Sequence, residues 1–497
     1  MKYFFSGLAL LSIALLFLIS CESQTRKEER LAHQYCGSCH LFPEPSLLNK
    51  KSWEKGVLPE MAFRMGFPDS KILSSFPEED LDAVIKSLPP RPMITEAEWS
   101  AIKNYYLTHA PDSVPVIPSN PNDSITQFNV HELKISTQGV PLITLIKKDS
   151  VSNKIFVGSR LSKLYLLNSK LALEDSISLT SPISHILFQK DQMPVISAMG
   201  IMDPNDQMKG SLQLLSISGH STETFIDSLK RPVHFEKADL NGDGLEDYII
   251  CTFGNYTGEL LTYESLGKGK FKKRTLLNLP GARKVVVRDF NNDGLKDILV
   301  LMTQGDEQLS LLTNGGNFNF KINTLLRFPP VYGSSYFDVV DFNHDGKFDI
   351  VYTNGDNADY STILKPYHGI RIYLNDGKNG FKESVFLPMH GASHAIARDF
   401  DNDGDLDIAA ISFFPRFDHP EEGFIYFENN GKGFTPQTTS LASSGRWLVM
   451  ESTDFDNDGD LDILLGALDF NNGVPTPLVD YWKQKKTALL VLSNNNK

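Results

Sequence analysis

The 497-residue chain has only 4 cysteines, too few for a disulfide framework, so its fold must rest on core packing and bound groups. Its 48 lysines and arginines are outnumbered by 61 aspartates and glutamates, for a net charge of −13. That balance excludes the clustered basic surface that nucleic acid requires. Beyond the N-terminus no apolar run reaches the twenty or so residues that span a bilayer. No phosphate loop or dinucleotide fingerprint occurs either, so an enzyme reading lacks support for a nucleotide cofactor of its own. What remains is a composition of globular type, 41% hydrophobic and 22% charged, on a chain too long for one ordinary core. Much of the acidity is concentrated in a few short loops, which points to bound cations more than to a solvated acidic face.

The first residues read as an export signal. Lys2 supplies a positive start and residues 8–19 a short apolar stretch. The sequence Leu18-Ile19-Ser20-Cys21 resembles a bacterial lipobox. That resemblance implies a signal peptide over 1–20, lipidation of Cys21 and a tether over 21–30. Acyl chains would then hold the protein on a membrane of the cell envelope, with the outer membrane favoured and its face left open. Cys251 lies in the apolar run Tyr248-Ile249-Ile250-Cys251 and is expected to be a small buried hydrophobe.

The other two cysteines form Cys36-Gly37-Ser38-Cys39-His40, the C-x-x-C-H pattern of covalent haem attachment. Two thiols at this spacing reach the two vinyl groups, and the adjacent imidazole falls beneath the iron as proximal ligand. A zinc half-site would need a second Cys or His pair, which is missing. A redox dithiol would sit in a βαβ pattern, whereas the flanks here read as helical. Helices are expected over 27–34, 48–64 with a break near Gly56 and Pro59, 78–87, and 96–109. Within 31–110 the order of parts resembles class I cytochromes c, with the C-x-x-C-H helix first and an aromatic-bearing helix last. The run from Trp53 through Val57-Leu58-Pro59 to Met61 looks like the distal segment of several small bacterial members, which implies Met61 as sixth ligand. Met65, one turn on, is the alternative, followed by His33 and His109. A Met/His pair leaves no open iron position and favours electron transfer.

A Pro-, Ser-, Asn- and Asp-rich linker is expected over 111–127. After it one acidic motif occurs five times. Its ligand positions 1, 3, 5, 7 and 9 are Asp239, Asn241, Asp243, Leu245 and Asp247 in the first copy. The second has Asp289, Asn291, Asp293, Leu295 and Asp297, and the third Asp341, Asn343, Asp345, Lys347 and Asp349. The fourth has Asp399, Asp401, Asp403, Asp405 and Asp407, and the fifth Asp454, Asp456, Asp458, Asp460 and Asp462. Side-chain oxygens at 1, 3 and 5, a glycine at 6 and a carbonyl at 7 suit Ca²⁺, with up to five ions. The glutamate that an EF-hand places at position 12 is replaced by Ile250, Val300, Tyr352, Ala410 and Leu465. Strand-like sequence follows each loop, so each joins two strands. A second punctuation, Asn375-Asp376-Gly377 to Phe381 and Asn429-Asn430-Gly431 to Phe434, reads as the turn into a last strand.

Copies start 50 to 58 residues apart, the length of a four-stranded propeller blade. The pattern is similar to the FG-GAP or VCBS repeats, a family that includes the integrin α-chain propeller. The resemblance spans residues 128–494 and implies an all-β propeller over 128–497, after a small all-α cytochrome domain, with calcium loops bracing its blades. About seven blades fit the span, with six or eight left open. Two of them, over 128–180 and 181–230, would lack the acidic loop.

Five residues before a motif stand His234, Lys284, Tyr336 and His394, with His185 as an equivalent in a degenerate blade. Residues at one height on inner strands would ring the mouth of a central channel, although polar strand ends serve equally well as structure. Long insertions at 354–368 and 413–422 are expected to overhang one face. Together these readings describe an exported electron-transfer lipoprotein with a propeller that docks a redox partner or ligand. Two other readings remain: a haem-coupled oxidoreductase acting on a carbohydrate or small molecule, and a glycan-binding or adhesion lipoprotein.

Overall fold

The computed structural model describes residues 23–135, 139–356, 361–469, 471 and 473–495. Cys21 and the signal segment lie outside them. The described residues fall into two compact units, within Met1–Asp69 and Leu88–Ser113 for one, and Ser70–Ser87 and Val114–Lys497 for the other. No helix among the described residues is long and apolar enough to cross a membrane.

The first unit is helical. Gln24–Cys36 starts at Ser23, whose side chain caps the N–H of Arg26. Glu96–His109 starts on a full capping box between Thr95 and Glu98. The two helices are joined where Asn104 donates to Glu28 at 2.9 Å. Between them in sequence, the expected break near Pro59 is a change of pitch. Lys50–Ser52 runs into a π-turn at Trp53–Val57 and on into Leu58–Arg64. Pro59 has no N–H to give, and the wider turn before it absorbs the missing bond. Glu78–Ser87 forms as expected but groups with the second unit. There the carboxylate of Asp80 accepts the N–H of Asp206 at 3.2 Å, so the expected 31–110 domain is interrupted.

In the second unit the strands sort into seven sheets, six of four strands and one of five, a seven-bladed β-propeller. Blades 1 to 6 follow chain order over residues 143–178, 183–229, 232–277, 282–328, 334–388 and 392–438. Blade 7 takes three strands from residues 447–494 and its outermost from Phe128–Leu133, which pairs antiparallel with Leu489–Asn494. The expectation that residue 128 opens the first degenerate blade is thereby corrected, since that strand closes the last one. Blade 6 also gains an edge from the expected linker, where Asn122 and Asp123 pair parallel with Gln437 and Thr438.

Seven apolar clusters fill the spaces between neighbouring blades, the junction of blades 7 and 1 included. This explains why each acidic loop is followed by an unbroken apolar run. In Asp297–Met302 every residue is buried: Ile298 and Val300 enter the cluster shared with blade 3, Leu299 and Leu301 the one shared with blade 5. Strands covered on both faces lose polar alternation. Cys251 is one of these core residues.

Candidate functional site

The acidic loops are all built alike. Position 4 has a positive φ in each copy, at Gly242, Asn292, His344, Asn402 and Asn457, residue types that tolerate the left-handed region. Glycine at position 6, φ +82° to +103°, makes the second such turn. Position 2 is apolar and anchors the loop, with Leu240, Phe400 and Phe455 buried. The position-9 aspartate is buried in all five copies. One of its oxygens accepts the N–H of position 2, as from Phe455 to Asp462 at 2.9 Å. The other accepts an N–H at the end of the third strand, from Ser265, Asn314, Asn375, Asn429 or Asn494. These asparagines belong to the second punctuation in the sequence; their role in closing the loop was not legible there, because their spacing from the motif varies.

Two loops gather carboxylates as a cation site requires. Oxygens of Asp399, Asp401 and Asp403 lie within 4.8 Å of one another, as do those of Asp454, Asp456 and Asp462. Burial and the neighbouring carboxylates push Asp460 up to about 6 and Asp462 to about 7. In the first three loops Asn241, Asn291 and Asn343 donate instead to Asp243, Asp293 and Asp345. In the third the Lys347 ammonium also sits 2.9 Å from Asp345. Side-chain and backbone oxygens are the donors throughout, and Asp462, which accepts one N–H per oxygen, keeps lone pairs for a hard cation. The set fits Ca²⁺. Blades 1 and 2 have no such set; in blade 1 Asp149 merely closes a turn with Val151 and Ser152.

The inner strands pack side by side around the propeller axis, blade 7 against blade 1 included. In every blade the inner pairing shifts register between the first and third residues. The third residues are Leu145, His185, His234, Lys284, Tyr336, His394 and Val449, so the five sequence-selected residues occupy one height on blades 2 to 6. They touch in two sets, His185 with His234 and Lys284 with Tyr336 and His394. His185 and His234 have ring centroids 4.3 Å apart, Lys284 Nζ lies 3.6 Å from the Tyr336 ring centre, and the Tyr336 and His394 centroids are 3.6 Å apart. Desolvation holds His185 down at about 3 and His234 and His394 well below the usual histidine range. It also lowers Lys284 to about 8. One layer further in, Lys147 pairs with Glu451 and Asp338 with Arg398, both at 2.8 Å.

The channel end with this arc is the face opposite the acidic loops. Acidic loops join first to second strands, and the connections between second and third strands therefore emerge at the other end. They include the insertions after Asn354 and Ser412 and, in blade 7, the helix Thr476–Lys485, which the sequence reading missed.

In the helical unit, Cys36 ends its helix and Gly37 caps it, giving its N–H to His33 O. A Cβ on Gly37 would stand 2.7 Å from that carbonyl, so the turn that swings Cys39 and His40 off the helix needs glycine. Cys36 and Cys39 are free thiols, the first half-buried near Tyr106 and raised to about 11 by burial, the second exposed. Behind them Tyr106 donates to Pro43 O and Trp53 to Pro45 O. Met61 and Met65 are both half-buried. His33, the weaker candidate, is exposed and stacks on Phe42 at 3.9 Å, and His109 donates from Nδ1 to Tyr105 O at 2.8 Å.

A family model described as FG-GAP-like repeat matches residues 239–300 and 289–352. No curated protein matches the sequence. Among solved structures, the Neurospora crassa Pan2 WD40 domain is similar at 12% identity, with 76% of this chain and 98% of that one covered and a TM-score of 0.48. The extracellular domain of a one-component system from B. thetaiotaomicron is similar at 12% identity, covering 74% of this chain and 40% of that one, with a TM-score of 0.44. The chain thus carries FG-GAP-like repeats within a seven-bladed β-propeller.

Proposed function

We propose that the protein is an exported, lipid-anchored c-type cytochrome whose calcium-braced propeller docks a redox partner or ligand. The observation that carries this reading is the pair of free thiols at the end of Gln24–Cys36, with His40 next to the second. Cys36 and Cys39 would hold the haem covalently, with His40 and Met61 as axial ligands; a bound haem supplies one-electron chemistry. Tyr106 and Trp53 fix the turn residues behind the thiols, and the exposure of Cys39 leaves that side of the turn open to a large planar group. Asp399, Asp401, Asp403, Asp454, Asp456 and Asp462 would hold calcium, with the other loops as weaker sites. Cys21 would hold the lipid, in the outer membrane by preference.

Expression with a cytochrome c maturation system tests the reading. A haem-staining band should survive denaturing electrophoresis and disappear in Cys36→Ala/Cys39→Ala. A chromophore retained by that double variant, or none in the parent protein, would sink it. Reduction of the haem by a sugar or alcohol alone would move the assignment to an oxidoreductase.

A further inference from the structure

The polar arc on blades 2 to 6 has more hydrogen-bonding capacity than the protein uses. His394 Nε2 is buried without a partner. Among the described residues the Tyr336 hydroxyl and both His185 nitrogens have no protein hydrogen-bond partner, and both side chains are half-buried. His234 accepts the Val285 N–H through Nδ1 at 3.4 Å, which leaves its Nε2 as the protonated donor. One buried unmatched nitrogen, of a kind rarely left so, stands beside three half-buried polar side chains in one arc, a set that a bound molecule would complete.

The charge balance decides what kind of molecule. Lys147 and Arg398 are each paired with a carboxylate, and Lys284 has Glu236 and Asp338 in its field. Arg283, also in the field of His394, has Asp356 at 4.0 Å, so four cations are set against four carboxylates. The three histidines are neutral imidazoles, which like the tyrosine hydroxyl both donate and accept. Alcohol hydroxyls do the same. At the same height on blades 1 and 7 stand Leu145 and Val449, which pack into the neighbouring apolar clusters and offer no hydrogen bond. Flat rings at the polar side also offer surfaces for C–H groups.

We infer that the channel mouth is a binding site for a neutral saccharide, with His185, His234, Tyr336 and His394 bonding its hydroxyls. The inference deepens the reading of the propeller as a ligand-docking module and is independent of the haem. Lys284, held by Phe337 O at 2.9 Å, orients Tyr336 beneath its ammonium. Entry is from the face of the long connections, away from the calcium loops.

The test uses the full mature chain, with titration calorimetry against neutral disaccharides (cellobiose, maltose, mannobiose, xylobiose) and digalacturonate as the acidic control. At least one neutral sugar should bind, and Tyr336→Phe and His394→Ala should each weaken it about tenfold, the loss of one hydrogen bond. Lys190→Ala, at an exposed turn of blade 2, should leave it unchanged. If His394→Ala melts early, Tyr336→Phe alone decides, since it removes one oxygen from a half-exposed ring. Binding of digalacturonate alone, no binding at about 10 mM sugar, or affinity indifferent to the channel variants would each overturn the assignment. The haem band of the same samples reports separately on the cytochrome reading.

Discussion

Asn494 and Asp462 fasten the end of the chain to the last acidic loop. The Asn494 N–H donates to Asp462 at 2.9 Å, and its side-chain amide donates to Leu461 O at 3.0 Å and Phe400 O at 2.7 Å. The pair joins the third strand of blade 7 to its own loop and to the loop of blade 6. Asn494→Ala removes the amide donor to Leu461 O and one of two donors to Phe400 O, which Gln127 also reaches at 3.1 Å, and takes away an acceptor of Gln127, while keeping the backbone bond. Stability in urea should fall by about 1–3 kcal/mol, the usual cost of unmatched buried groups.

Phe128 tests the ring closure from the other strand. It is 4% exposed and meets Phe400 and Tyr426 edge-on at 5.7 and 5.3 Å. Phe128→Ala should cost about 3–5 kcal/mol. An unchanged urea midpoint would show that blade 7 holds without its outer strand.

Calcium affinity should follow the charge of the loops. The fourth and fifth loops have aspartate at all five odd positions, whereas the third sets Lys347 against Asp345. Chelator competition on single-loop knockouts should rank the fourth and fifth tightest and the third weakest. Calcium at about a hundred times the dissociation constant adds about 2.7 kcal/mol per site, so chelation should lower the melting temperature. A melt indifferent to chelator would mean that the loops bind no ion.

Glu307 makes stability depend on pH. Burial lifts it from 4.5 to about 7, against hydrogen bonds from Ser334 and Gly333 that favour the charged form. The folded state then holds a proton that the unfolded state releases between those values, so this group's contribution declines as pH rises from 4.5 through 7. The full difference is about 3 kcal/mol. In Glu307→Gln the offset from the parent should shrink by about that amount over the same window, whatever the fixed loss from the changed acceptor. A constant offset across the window would refute the burial argument.

Cys251 should behave as a hydrophobe. Cys251→Ala is expected to be mild, whereas Cys251→Ser places a hydroxyl in the core between blades 3 and 4 and should cost about 1–3 kcal/mol. Equal melts for the two variants would argue that the site is polar.

The acidic loops, the strand that follows each and the helix 96–109 could be read from the chain because they depend on neighbours in sequence. A left-handed residue at positions 4 and 6, an apolar anchor at 2 and a capping box at Thr95 are local matters, and so is the spacing of Cys36, Cys39 and His40. Tertiary structure decided the rest. The blade count became seven only when Phe128–Leu133 covered the exposed edge of Leu489–Asn494 from the far end of the chain. No local pattern distinguishes that strand from the start of a first blade, since only burial of the open edge selects its partner. The grouping of Glu78–Ser87 with the second unit was likewise hidden, because Asp80 finds Asp206 through folding alone. His185, Lys284 and His394 could be aligned by counting back from the loops. Their contacts with His234 and Tyr336, and the lowering that desolvation imposes on the histidines, exist only because the ring closes.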